Sequence, residues 1–407
     1  MWITPEAPVP DPHPDTLAVH AGRLEIPVNP ASSPPLFQAS SYEFEDLEAV
    51  ERVYSGTASG RIYGRYGGPN GAQFESAIAD LEGAEAAAGA AAGMSAIDAA
   101  LASLLAPGDS LVSSAELYGG TVALVENDYQ KSGVRTTYVD QSDLSAVSAA
   151  LKKHRPKVLY VEALTNPLLH VADLPALCAE ARSVGARVVV DATFATPILC
   201  RPLEHGADLV VHSVGKYLGG HGDVGAGVVA GSAALIEPIR AYLVRKGATI
   251  PHFEAWLGLR GLRTLALRME RHSANAAAVA AFLATRPEVS RVYHPSLPDH
   301  PQHAAAARLY PRGTGGMLAF DLAGGRAAVE RFLRGLSTIA VVHSLGEVAT
   351  TISHPLSASH RYVAADARAR LGVGEGTLRL STGIEDVRDI VADLSAAFAG
   401  LAERARA

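Results

Sequence analysis

Residues 157–191 read KVLYVEALTNPLLHVADLPALCAEARSVGARVVVD, and the fold follows from this stretch. A short apolar run at 158–161 is followed by a helix-length segment at 174–184 and a second apolar run at 188–190 that ends on Asp191. Two such runs with a helical pattern between them predict a strand–helix–strand unit, which joins parallel strands. The pattern extends both ways. Further apolar runs lie at 110–113, 135–139 and 209–211. Strand and helix in turn predict an α/β fold: a mostly parallel sheet wrapped on both faces by helices. In such sheets ligands sit beyond the carboxyl ends of the strands, so the residues just after each apolar run are the candidates for chemistry.

Upstream, Phe74, Ile78 and Leu81 recur at helical spacing before Gly83, which predicts a helix with a glycine C-cap. The Ala-rich segment 84–93 reads as a tight packing turn, and 94–105 as a helix closed by Pro107, Gly108 and Asp109. Residues 27–70, dense in Pro, Ser, Gly and Tyr, predict an extended arm of the kind that reaches a neighbouring subunit. Beyond 255, a long helical stretch to 283, strands at 317–320 and 377–380 and a closing helix at 386–401 predict a smaller α+β domain. The expected division is an N-terminal extended arm over 1–65, an α/β domain over 66–254 and a C-terminal α+β domain over 255–407.

Composition narrows the function. The 407 residues are 48% hydrophobic and 19% charged, which excludes a disordered or fibrous chain. A net charge of -7 without a Lys/Arg block argues against nucleic acid or an anionic membrane as partner. Cys178 and Cys200 are the only cysteines and form no CxxC, so neither a disulfide framework nor a zinc site is expected, and the chain reads as cytoplasmic. Residues 1–15 lack the form of a signal peptide. The uncharged stretch 86–97 is shorter than the roughly 20 apolar residues of a membrane span. Small molecules are the expected ligands.

Of the 35 basic residues only six are lysines, and Lys216 stands three residues after the apolar strand 207–213 and just before the glycine-rich segment 217–223. An amine at that edge of the sheet is sheltered from water, which disfavours its charge, and a neutral amine is what Schiff-base chemistry needs. Asp191 ends its strand either as a turn cap or, paired with Lys216, as a carboxylate that keeps a pyridine nitrogen protonated. Gly93, Met94 and Ser95 open a predicted helix whose free amides and dipole favour an anion. Ser213 can add a hydroxyl, and Tyr63 and Arg65 of the arm a phenol and a guanidinium. Residues 220–225 match GxGxxG, but lead into a strand rather than a helix, which argues against a dinucleotide site. No HExxH occurs among the histidines, and no metal site is expected.

With these residues assembled, the chain closely resembles the Cys/Met-metabolism family of fold-type I pyridoxal phosphate (PLP) enzymes. That family contains cystathionine γ-synthase, cystathionine γ-lyase, methionine γ-lyase and O-acetylhomoserine sulfhydrylase. The resemblance runs from Thr16-Leu-Ala-Val-His-Ala-Gly22 to Leu401 and is most specific in His212-Ser-Val-Gly-Lys-Tyr-Leu-Gly-Gly-His-Gly-Asp223. It implies the PLP transferase fold and PLP as cofactor, with Lys216 joined covalently to it, Asp191 on the pyridinium nitrogen and Tyr118 stacked on the ring. It implies Gly93, Met94 and Ser213 on the phosphate, helped by Tyr63 and Arg65 of a neighbouring subunit, and Asn166 near the ring hydroxyl. Ser344 and Arg379 match the positions that grip the substrate carboxylate. A homotetramer built as a dimer of dimers with shared sites is implied as well.

Four departures stand out. Gly215 replaces a usual Thr, Gly67-Gly-Pro-Asn70 a usual Asn-Pro-Thr turn, and Gly120 a Cys found in some methionine γ-lyases, while Glu347-Val-Ala-Thr-Thr351 is a variant segment. The expected reaction is γ-elimination from a sulfur amino acid, of methionine or cystathionine γ-lyase type, giving 2-oxobutyrate, ammonia and a thiol. Catalysis would rest on Lys216, Tyr118 and Asp191. The chain lacks the inserted segment of the longer sulfhydrylases, which favours this over γ-replacement by a synthase or sulfhydrylase. A non-catalytic PLP-fold binding module is the remote alternative.

Overall fold

The computed structural model describes residues 13–22, 31–359, 361 and 372–403. Among them the strands β1 (Ala86–Ala90), β2 (Ser110–Ser114), β3 (Arg135–Val139), β4 (Val158–Glu162), β5 (Arg187–Asp191), β6 (Leu209–Ser213) and β7 (Gly227–Gly231) form one sheet in the order β1-β7-β6-β5-β4-β2-β3. From β3 to β6 all pairings are parallel, as the alternation of strand and helix predicts. Along β4, Val158 and Tyr160 pack into one core and Leu159 and Val161 into another, so the sheet is buried on both faces. All five parallel strands therefore deliver their last residues to one edge.

The departures from expectation have tertiary causes. Segment 84–93 contains the edge strand β1 rather than only a turn, because β7 runs antiparallel beside it and pairs Ala86 through Ala90 with Gly231 through Gly227. Alanine has little strand preference of its own, so the distant partner decides. β7 itself runs antiparallel to β6. The helical stretch after 255 is two helices, His252–Leu262 and Leu265–Ala284. At the break, the buried Arg268 donates to the carbonyls of Tyr217 (2.6 Å) and Gly261 (2.8 Å), clamping the turn that carries Lys216. Helix Pro69–Glu82 ends as predicted, with Gly83 left-handed at φ 66°.

A second sheet holds β8 (Val289–Tyr293), β9 (Met317–Leu322), β10 (Ala340–Val341), β11 (Thr351–Ser353) and β12 (Thr377–Ser381) in the order β10-β11-β12-β9-β8. Its core is built on Phe320, Phe332 and Phe398. Helix Val387–Glu403 closes the described chain, and no described helix is long and apolar enough to cross a membrane.

The arm is not wholly extended: it includes helix Leu47–Tyr54, which buries no residue. Trp256 Nε1 donates to the Pro34 carbonyl and tethers it, yet Leu36, Phe37, Leu47, Tyr54, Tyr63 and Tyr66 stay exposed.

Two buried histidines predict an acid limb of stability. Burial pushes His272 down to about 4, against a hydrogen bond of its Nδ1 to the Thr382 carbonyl, and burial with the neighbouring His300 pushes His294 down to about 3. The unfolded chain, with imidazoles near 6.5, takes up protons first. The stability these groups contribute is therefore present above pH 6.5 and lost as pH falls towards 4. The urea midpoint should drop across that window, and His272→Gln should flatten part of the drop. A midpoint constant from pH 7 to 4 would contradict this.

Candidate active site

Beyond β6 the chain turns at once: the Gly219 amide donates to the Val214 carbonyl at 2.8 Å and the Gly220 amide to that of Lys216 at 2.8 Å. Val214, Tyr217 and Leu218 are buried in the core and Arg268 holds the far side, so the backbone at 216 is fixed. The Lys216 amine donates to Ser344 Oγ at 3.1 Å. Burial pushes it below the ordinary lysine range, the nearby Arg379 pushes the same way, and Glu347 opposes. Neutral amine is thus more accessible here than in water.

One strand earlier in sequence, Asp191 ends β5 directly opposite Glu162, the last residue of β4. Its Oδ1 accepts the Thr193 amide at 2.9 Å. Burial raises the Asp191 carboxyl above its usual range, while Thr193 and the nearby His212 hold it down. His212 Nε2 lies 2.6 Å from Glu82 Oε1, both side chains fully buried. A cation placed against Asp191 would relieve its burial.

Helix Gly93–Leu104 starts at the same edge, with no side chain capping its first amides. A Cβ on Gly93 would sit 2.8 Å from the Ser213 side chain, so the glycine lets backbone and hydroxyl converge. Unclaimed amides, helix dipole and hydroxyl together suit a phosphate. The Thr usual at position 215 is excluded sterically here: a Cβ on Gly215 would lie 2.4 Å from the Val224 carbonyl oxygen. Gly215→Thr should therefore weaken retention of the coenzyme several-fold instead of adding a hydrogen bond, as read by titrating the visible absorbance of the reconstituted protein. Tighter retention would refute the steric reading.

These elements enclose a cavity of about 210 Å³ lined by Gly93, Met94, Tyr118, Asn166, Asp191, Ser213, Lys216 and Arg379 among others. Ser344 lines an adjoining space with Lys216, Gly93 and Ser213. Arg379 arrives from β12 of the second sheet; its Nη1 donates to Asn166 Oδ1 at 3.0 Å and its Nη2 to the Ser344 carbonyl at 3.2 Å. Burial lowers this guanidinium to about 10, so it remains a cation in a dry setting, suited to a carboxylate.

Tyr63 and Arg65 do not join the cavity of their own chain. Arg65 Nη1 donates to the Val244 carbonyl at 3.0 Å, and its guanidinium lies 4.8 Å from the Tyr66 ring centroid. The cavity wall also includes Glu162, Thr193, Phe194, His343 and Leu345, none of which the sequence reading singles out for this site. Glu162 was within reach of it, since it follows the apolar run 158–161 as Asp191 follows 188–190.

Residues 15–399 match the family described as Cys/Met metabolism PLP-dependent enzyme. The chain is 40% identical to the O-succinylhomoserine sulfhydrylase of Pseudomonas aeruginosa over 95% of both chains. It is also 40% identical to an L-methionine gamma-lyase of Pseudomonas putida, over 94% of this chain and 96% of that one. In structure it is similar to cystathionine gamma-synthase from Xanthomonas oryzae pv. oryzae, with a TM-score of 0.90, 38% identity, and coverage of 95% of this chain and 98% of the other.

Proposed function

We propose, for a chain that belongs to the Cys/Met metabolism PLP-dependent enzymes, that its reaction is γ-elimination from methionine or cystathionine, giving 2-oxobutyrate, ammonia and a thiol. At the coarser level the chain is a PLP-dependent enzyme acting on sulfur amino acids by γ-elimination or γ-replacement. PLP supplies an aldehyde for an amine and a ring that draws electrons from the substrate's Cα. The residues present fit it: an amine, a buried acid and an amide-lined anion cradle converge on one cavity.

In this reading Arg379 holds the substrate carboxylate, with Asn166 and the Ser344 carbonyl fixing its fork. Lys216, with its charge disfavoured, takes the proton from Cα and then moves one from Cβ. Asp191 keeps a proton on the pyridine nitrogen. Tyr118 gives a proton to the departing γ-sulfur. The observation that carries the reading is the sheltered Lys216 amine within reach of Ser344. Incubation with methionine, cystathionine, and O-acetylhomoserine plus sulfide tests it. Formation of 2-oxobutyrate from either of the first two is expected. No 2-oxobutyrate from either, with homocysteine from the third, would assign replacement instead.

The site is shared in this proposal. Tyr63 and Arg65 lie outside their own cavity on an arm with a row of exposed apolar side chains, which supports a second copy as the recipient. Mixed assemblies of inactive Lys216→Ala and inactive Arg65→Ala chains should regain part of the activity, because one site in each mixed pair is intact. No recovery would count against sharing.

A further inference from the structure

We infer that Glu162 is a positioning residue of this site: its one carboxylate ties the loop bearing Tyr118 to the loop bearing Asn166, and so sets two sides of the coenzyme ring together. The inference rests on the reading that Tyr118 and Asn166 flank that ring.

Glu162 ends β4, is buried, and spends both oxygens on backbone amides from different segments. Oε1 accepts the Tyr118 amide at 2.7 Å, and Oε2 accepts the Asn166 amide at 3.0 Å. Its own backbone is held from both sides by Gln141, whose Nε2 donates to the Glu162 carbonyl at 2.8 Å and whose Oε1 accepts the Glu162 amide at 3.2 Å. The brace is reciprocal. Glu116, two residues before Tyr118, accepts the amide of Leu168, two residues after Asn166, at 3.0 Å. Each loop thus sends an acid to an amide of the other.

The consequence for Tyr118 is specific. Tyr118 is 43% exposed, so packing alone does not orient the ring. What fixes it is backbone: the carbonyl accepts the Thr121 amide at 2.9 Å at the start of helix Gly119–Leu124, and the amide is held by Glu162. On the other side, Asn166 passes the constraint to Arg379 through its Oδ1.

A carboxylate is required for this because a carboxamide has one acceptor oxygen and would turn an NH₂ donor against the second amide. The arrangement is also costly. Burial, the facing Asp191 and nearby Glu116 push Glu162 well above the usual carboxylate range, against the amides of Tyr118 and Asn166. An acid that merely filled space there could be exchanged for an apolar residue without loss.

The test uses reconstituted holoenzyme of the wild type, Glu162→Gln, Tyr118→Ala and the double variant. Visible circular dichroism of the bound coenzyme, kcat and KM are read for each. Glu162→Gln should keep its coenzyme but lose at least half of the visible dichroic band, with kcat about 10- to 100-fold lower and KM changed much less. In the Tyr118→Ala background it should add less than about 3-fold, because both act through the same ring. A Glu162→Gln enzyme with unchanged dichroism and kcat, beside an impaired Tyr118→Ala, would overturn the role of Glu162 alone. A loss that multiplies in full in the double variant would also overturn it. An unimpaired Tyr118→Ala would remove the underlying reading and this inference with it. Should Glu162→Gln fail to fold, site-resolved hydrogen exchange on the wild type decides: a protected Tyr118 amide supports the tie, and one exchanging at the solvent rate overturns it.

Discussion

Lys216→Ala is expected to lower kcat by on the order of 10³- to 10⁴-fold and to leave no coenzyme attached to the chain after borohydride reduction and denaturation. Both effects follow from one amine. Among the described residues it is the only lysine lining the cavity, burial and Arg379 shift it towards neutrality, and Ser344 Oγ lies 3.1 Å from it. Alanine removes the covalent anchor and the base that would serve Cα and Cβ. The fold should survive, since the turn is held by backbone bonds and by Arg268 rather than by the amine. Borohydride reduction of the wild type followed by peptide mapping should find the modification on residue 216. An unmodified Lys216, or an alanine variant within tenfold of wild-type turnover, would dismantle the proposed mechanism.

Asp191→Asn is expected to separate activity from stability. Asparagine retains an acceptor for the Thr193 amide but carries no charge to hold a proton on the pyridine nitrogen. Losing a preorganised electrostatic partner of this kind costs about 10²- to 10³-fold in kcat. The fold has reason to gain, because Asp191 faces Glu162 across the β4–β5 pair and burial already disfavours its charge. The urea midpoint of the coenzyme-free variant should equal or exceed that of the coenzyme-free wild type. A variant that loses stability while keeping kcat within tenfold would reverse the assignment.

Much of this site was legible because a parallel sheet converts sequence order into geometry. Asp191 and Lys216 each follow an apolar run, and strand direction alone carries both to one edge. The glycine at 93 was legible as a helix start. Glu162 obeys the same rule, but its partners are backbone amides 44 and 4 residues away, and amides leave no letter in a sequence. β1 was hidden for a related reason: five small residues take strand form only because β7 lies beside them. The break between the helices at 262 and 265 answers to Arg268 reaching a turn some 50 residues upstream. His343 carries no periodicity or spacing that would draw it to the cavity wall.

Arg268, His272 and Asn275 recur at helical spacing on helix Leu265–Ala284, and together they grip two distant pieces of chain. Arg268 holds the Tyr217 carbonyl; His272 and Asn275 hold the carbonyls of Thr382 and Gly383, just past the strand of Arg379. One stiff rod therefore sets the spacing between the reactive nitrogen and the guanidinium, the two groups that would meet the α-carbon and α-carboxylate common to every amino acid. Efforts to retune chain-length preference would then do better to alter the rim around His343 and Leu345 and leave that rod intact.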